Sequence, residues 1–225
     1  VAGSTLFAAC ADGAGSAEFS HRGSKAAVEC VMENAAPRES PPTREQIETW
    51  IDAARARVLA TAAAYQTTPR QLACTLLAAM IGENWAAFAQ IGDGVIVFDG
   101  PEGYELAFWP DNGEYANTTR FLTDDDYRAN LRIEIIDRRL TELAVLTDGL
   151  QMLALDFGQA KVHDRFFAPL FRALKHGPDE ETLRAALLQF MGSKRVNDRT
   201  DDDKTLLLAI RSATDASPSL PDTIA

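Results

Sequence analysis

Strand-like apolar segments come in runs along this 225-residue chain rather than in strict alternation with helical ones, and that ordering predicts an α+β fold with mostly antiparallel sheets. Two further observations support it. Asp-Gly pairs stand at Asp12-Gly13, Asp93-Gly94 and Asp148-Gly149, each closing an apolar run: Leu6–Ala11, Trp85–Ile91 and Leu143–Leu146. Helical spacing is confined to two blocks, one between Ser20 and Tyr65 and one between Asp164 and Met191.

Taken in order, Thr5–Ala11 reads as a strand and Ser20–Met32 as a helix. Glu33–Pro42 holds three prolines and reads as a loop. Thr43 with Gln46 makes a capping box, and Ile47, Ile51, Ala54, Val58 and Ala62 then recur at helical spacing, so Arg44–Tyr65 is a helix. Leu76–Ile81, Trp85–Ile91, Val95–Phe98 and Tyr104–Trp109 follow as strands separated by Gly-rich turns, the pattern of an antiparallel meander. Leu131, Ile133 and Ile135 alternate with polar residues as in a half-exposed strand, and Leu143–Leu146 is another. Asp164–Lys175 and Asp179–Met191 are helices stopped by Gly177 and Gly192. Leu206–Ile210 is the last strand, and Ser212–Ala225 is a polar, flexible tail.

The length suits one sizeable domain, and the 46% hydrophobic content supports a substantial core. A net charge of −11 argues against nonspecific nucleic-acid binding and against an anionic membrane surface, since both need a basic face. No apolar stretch reaches the length of a membrane span, and Val1–Ala11 lacks the basic leading region of a signal peptide. Cys10, Cys30 and Cys74 are odd in number and form no Cys-x-x-Cys pair, which argues against a zinc site and for a reducing cytoplasm.

Asp-Gly is first of all a hairpin turn signal. Asp93-Gly94 fits that reading, because Val95–Phe98 follows at once. Asp12-Gly13 and Asp148-Gly149 do not, since no returning strand follows either. A fourth acidic cluster, Asp201-Asp202-Asp203, precedes Leu206–Ile210. Four strands thus carry carboxylates at their tips, and a sheet protein that gathers such tips at one end builds an all-oxygen site for hard divalent cations. Asp124-Asp125-Asp126 lacks the Gly and Glu of a calcium loop and reads as a solvated loop. Trp50, Trp85 and Trp109 read as core.

Ala11-Asp12-Gly13-Ala14-Gly15-Ser16, Gln90-Ile91-Gly92-Asp93-Gly94, Leu146-Thr147-Asp148-Gly149-Leu150 and Asp202-Asp203-Lys204-Thr205, in that order, resemble the metal-dependent type 2C serine/threonine protein phosphatases of the bacterial subgroup. Gly113–Thr119 also resembles that subgroup. Read by itself, Asn112–Thr119 is a polar, turn-rich stretch, either a flap near substrate or a connector. The resemblance runs from about Val1 to Ser212. It implies two stacked, mostly antiparallel β-sheets flanked by α-helices, with the carboxylates at one end of the sheet pair. It further implies two Mg or Mn ions, with a third weaker one, and hydrolysis of phosphoserine or phosphothreonine by a metal-bridging water. A phosphorylated protein would be the substrate, with a serine/threonine kinase or its target as partner.

Carried over by position, Asp12 would bridge both ions and Gly13 would give its carbonyl to the second. Asp148 and Asp202 would hold the first ion, and Asp12, Asp148 and Asp202 form the implied catalytic set. Asp93 matches the aspartate of the third ion, with the hairpin turn as its other reading. Asp202 is preferred over Asp201 and Asp203, which stay open. Two departures favour a catalytically impaired binding or regulatory relative. The position that often carries His after the first Asp-Gly is Ala14, and the nearby His21 reads as a helix-start or surface residue. The family also has an upstream strand with an acidic residue near its end, and no such segment precedes Asp12 in this sequence; that strand is expected before Val1.

Overall fold

In the computed structural model, residues 5–34, 36–110 and 119–212 are described. The expected tail from residue 213 onward and most of the Gly113–Thr119 segment lie outside them. The chain enters on strand β1 (Leu6–Cys10) and continues into helices α1 (Ser20–Asn34) and α2 (Arg44–Ala64). The capping box is present: the Thr43 hydroxyl accepts from the Gln46 amide at 3.3 Å, and Gln46 Oε1 accepts from the Thr43 amide at 3.0 Å. After a short turn of 3₁₀ helix come β2 (Leu76–Ile81), β3 (Ala86–Ile91), β4 (Val95–Gly100) and β5 (Gly103–Leu106).

A single helical turn, α3 (Tyr127–Asn130), precedes β6 (Arg132–Ile136) and β7 (Glu142–Leu146). The chain then folds a second helical block: α4 (Gln151–Ala154), the small hairpin β8 (Leu155–Asp156) and β9 (Lys161–Val162), α5 (Asp164–His176), α6 (Glu180–Met191) and α7 (Lys194–Asn197). β10 (Leu206–Ile210) closes the described chain.

Two four-stranded antiparallel sheets form, ordered β1-β2-β3-β6 and β10-β7-β4-β5. α1 buries Ala27 and Cys30, and α2 buries Ile47, Ile51, Ala54 and Val58, in one cluster with Leu76, Ala87 and Ala89 on the outer face of the first sheet. Leu77, Phe88, Ile96, Phe98 and Val145 fill the space between the sheets. Phe167 and Phe171 of α5 cover Val97 and Ala144 on the outer face of the second sheet. The result is four layers, helix–sheet–sheet–helix. β3 lies inside this stack, which explains why its six residues are all buried and why it reads as an unbroken apolar run apart from Gln90.

The expected meander needs one correction. β2 pairs with β3, and β4 pairs with β5, but β3 and β4 belong to different sheets. Asp93-Gly94 is therefore not a hairpin turn; it is the corner at which the chain crosses between sheets. The reason lies in the core: Phe88 of β3 and Phe98 of β4 both face the inter-sheet space, where their rings stack at 5.0 Å. Pairing β3 beside β4 in one sheet would forfeit that packing. All three cysteines are free and buried, and burial pushes the Cys10 and Cys74 thiols up to about 12, so they serve as small core residues. Among the described residues no helix is long and apolar enough to cross a membrane.

Candidate metal centre

Asp12 leaves β1 without turning. Its amide donates to the Thr75 hydroxyl at 2.9 Å, and the Thr75 amide donates back to the Asp12 carbonyl at 2.8 Å. Gly13 bridges Cys74, and the Ala14 amide donates to the Ala73 carbonyl at 2.9 Å. The β1–β2 ladder thus continues past its formal end and carries Asp12 on extended backbone.

Asp148 follows β7, where the chain tightens into one turn of 3₁₀ helix over Asp148–Leu150. Gly149 is required by close approach: a Cβ there would lie 2.3 Å from the Asp203 carbonyl oxygen. The missing side chain lets the segment before β10 run against the Asp148 turn. Thr147 fastens it, accepting from the Thr205 amide at 3.0 Å through its hydroxyl. Asp202 is thereby brought to Asp148, although the two are distant in sequence.

Asp93 sits on the inter-sheet corner. Gly92 has φ +101°, a conformation open to glycine, and a Cβ on it would meet the Thr75 methyl at 2.5 Å. The Thr119 hydroxyl donates to Asp93 Oδ2 at 2.6 Å.

These four tips converge on one cleft of about 160 Å³, lined by Asp12, Asp93, Asp148 and Asp202 together with Gly13 and Ala14. All five sequence-expected metal residues are brought there. Asp201 and Asp203 are not on the lining, nor are Ser16 and the exposed His21. Asp124 lies elsewhere and caps a turn, accepting from the Phe121 amide at 2.8 Å. Of the tryptophans, Trp85 is buried in the core, whereas Trp50 and Trp109 are half-buried.

The cleft is electrostatically uncompensated. Among the described residues that line it there is no Lys, Arg or His. Burial, followed by Asp93, Asp202 and Asp12, pushes the Asp148 carboxyl up to about 7. Burial and then Asp202 raise Asp12, partly offset by a side-chain hydrogen bond to Asp148. Asp148 Oδ1 is buried and has no hydrogen-bond partner. A buried carboxylate oxygen facing other carboxylates is costly unless a cation joins it. Among the described residues no three acidic, His or Cys side chains close on a single point tightly enough to chelate an ion as they stand. An oxygen-only set spread around a roomy cleft suits a hard ion such as Mg²⁺, which keeps several waters and takes one or two carboxylates. The residues present fit that group.

Thr75 and Gln151 lie outside the motifs and Gln90 opens one of them with no role assigned, yet all three hold the tips in place. The available signal was a polar residue set against an apolar strand: Thr75 just before β2 and Gln90 in β3. Both are buried.

The sequence profile described as Protein phosphatase 2C matches residues 1–191. Serine/threonine-protein phosphatase 3 of Escherichia coli (strain K12) is 40% identical over 158 residues, 69% of this chain. The match spans 62% of that protein's length. Among solved structures, the serine/threonine phosphatase PstP/Ppp of Mycobacterium tuberculosis superposes with a TM-score of 0.63 at 15% identity, covering 93% of this chain and 89% of that one. The catalytic domain of PstP in complex with 2 manganese ions gives 0.62 at 14% identity, with the same coverages. The structural likenesses establish the fold, and the profile match runs through every cleft aspartate except Asp202. The profile match, which runs over most of the sequence, shows that the chain belongs to the protein phosphatase 2C family.

Proposed function

We propose that this chain is a Mg- or Mn-dependent phosphatase acting on phosphoserine or phosphothreonine of a partner protein. The observation that carries the reading is the buried, unpartnered Asp148 Oδ1 in a cleft whose charged lining, among the described residues, is acidic. Family membership and the relatives' phosphatase names support it. So does the manganese pair in the PstP catalytic domain.

Asp148 and Asp202 would hold the first ion, Asp12 would face both ions, the Gly13 carbonyl would serve the second, and Asp93 would serve a weaker third. When bound, the ions would supply charge neutralisation for the phosphoryl oxygens and an acidified water as nucleophile. The chain's own contribution is position. Thr75 braces Asp12 from both sides of its peptide unit. Gly149 and Thr147 hold the Asp202 segment against Asp148. Ala14 and Gly15 keep the lining small, which leaves room for a phosphate group.

A second reading, a binding or regulatory relative with impaired turnover, is favoured by one observation. Ala14 lines the cleft, and among the described lining residues there is no His, Lys, Tyr or Cys to protonate a leaving group. Hydrolysis of p-nitrophenyl phosphate and of a phosphothreonine peptide, with and without millimolar Mn, separates the two. Mn-dependent turnover of both supports the enzyme. Phosphopeptide binding without turnover would establish the rival.

A further inference from the structure

The corner at Gly92-Asp93-Gly94 is held by side chains, not by a strand ladder. Gln90 Nε2 donates to the Gly92 carbonyl at 3.0 Å and to the Gly94 carbonyl at 2.8 Å. Arg132 also donates to the Gly92 carbonyl, at 3.4 Å. The carbonyl left between them, that of Asp93, accepts from Gln151 Nε2. Gln151 has a second attachment, because its backbone amide donates to the Asp148 carbonyl as the cap of the 3₁₀ turn. One residue therefore ties the backbone of Asp93 to the backbone of Asp148 across the junction of the two sheets.

We propose that Gln151 is a positioning residue that sets the separation of Asp93 and Asp148, with Gln90 as the fixed floor of the same clamp. The metal half of this inference rests on the functional reading above; the clamp itself does not. Both aspartates lie on backbone that turns away from its strand, so neither is fixed by sheet pairing alone. A corner with free carbonyls would let Asp93 move independently of the Asp148 turn. Cation sites depend on such outer partners, whose loss costs about 10- to 100-fold in affinity.

The test uses the whole chain with Gln151→Met, which keeps the side chain's shape and removes its donor, and Gln151→Ala as a second variant. In the metal-free protein, hydrogen exchange of peptides spanning the 92–94 corner is expected to quicken about tenfold, with the β2–β3 ladder unchanged. Unaltered exchange at the corner in both variants would overturn the clamp. With Mn, calorimetry on wild type, Gln151→Met, Asp93→Asn and the double variant is expected to show the weakest binding event shifted about tenfold by Gln151→Met. Asp93→Asn should remove that event, and the double variant should match Asp93→Asn alone. Equal weakening of every event, or additive losses in the double variant, would show a merely structural role and overturn the assignment. A wild type that binds no Mn would overturn the functional reading and the metal half with it, while the exchange experiment still decides the clamp.

Discussion

Strand β7 carries a buried or half-buried carboxylate at each end, and the two are treated oppositely. At its start, Glu142 is buried and fully paired: it accepts from the Tyr104 hydroxyl at 2.6 Å and forms an ion pair with Lys175 of α5. The adjoining Asp99 is equally provided for, accepting from the Thr141 hydroxyl at 2.7 Å and from the Thr141 and Glu142 amides at 2.8 and 2.9 Å. Just past the other end, Asp148 meets three other carboxylates and keeps one oxygen without a partner. At the first end Glu142 ties α5 to the sheet through Lys175, and Asp99 fastens the start of β7. Acids at the second end are held in mutual repulsion by the fold, and the natural relief is a cation. Burial of a carboxylate is thus uninformative until its neighbours are known.

The sharpest way to break the comparison is to neutralise each end in turn. Asp148→Asn should lower Mn-dependent turnover by more than about 100-fold, since losing even an outer partner of a metal ligand costs 10- to 100-fold. Its metal-free stability should stay level or rise, because a repelling charge is removed. Were Asp148 only a turn residue, Asn would serve nearly as well, so equal turnover at saturating Mn would sink the assignment. Glu142→Gln should do the reverse, costing about 1–3 kcal/mol in urea denaturation while leaving turnover per folded molecule intact. Activity loss without destabilisation would erase the distinction between the ends.

Gly149→Ala probes how Asp202 is delivered. Its methyl would meet backbone, so it should cost about 1–3 kcal/mol and also weaken Mn binding measured by calorimetry. Destabilisation with unchanged Mn affinity would mean that the Asp202 segment is not placed by this contact.

The smallest effect is one of pH. The folded Asp148 carboxyl titrates about 7 against an ordinary value of 3.8, so between those values the native state holds more protons than the unfolded one. Metal-free stability should therefore fall as pH rises from about 4 to 7, and Mn affinity should grow over the same interval as the proton is displaced. Asp148→Asn should flatten the first slope. Urea midpoints that do not change with pH in the wild type would remove the electrostatic contrast between the two ends.

What the sequence determined by itself was whatever a few neighbouring residues decide. The Thr43–Gln46 capping box needs only one helical turn, and α2, α5 and α6 follow from apolar residues at helical spacing. Strand tips ending in Asp were legible for the same reason, and four motifs in order identified the family. Tertiary structure alone decided which tips meet and how. Asp93-Gly94 has the local chemistry of a hairpin, yet packing of Phe88 on Phe98 across the core sends β3 and β4 to different sheets. Gln151 follows Asp148 closely in sequence, but its side-chain partner is the Asp93 carbonyl, which no local pattern predicts. The elevated Asp148 carboxyl depends on Asp12, Asp93 and Asp202 arriving from three separate segments. Coulomb repulsion and desolvation act through space, so the properties that would let this cleft hold a metal exist only once the sheets have stacked.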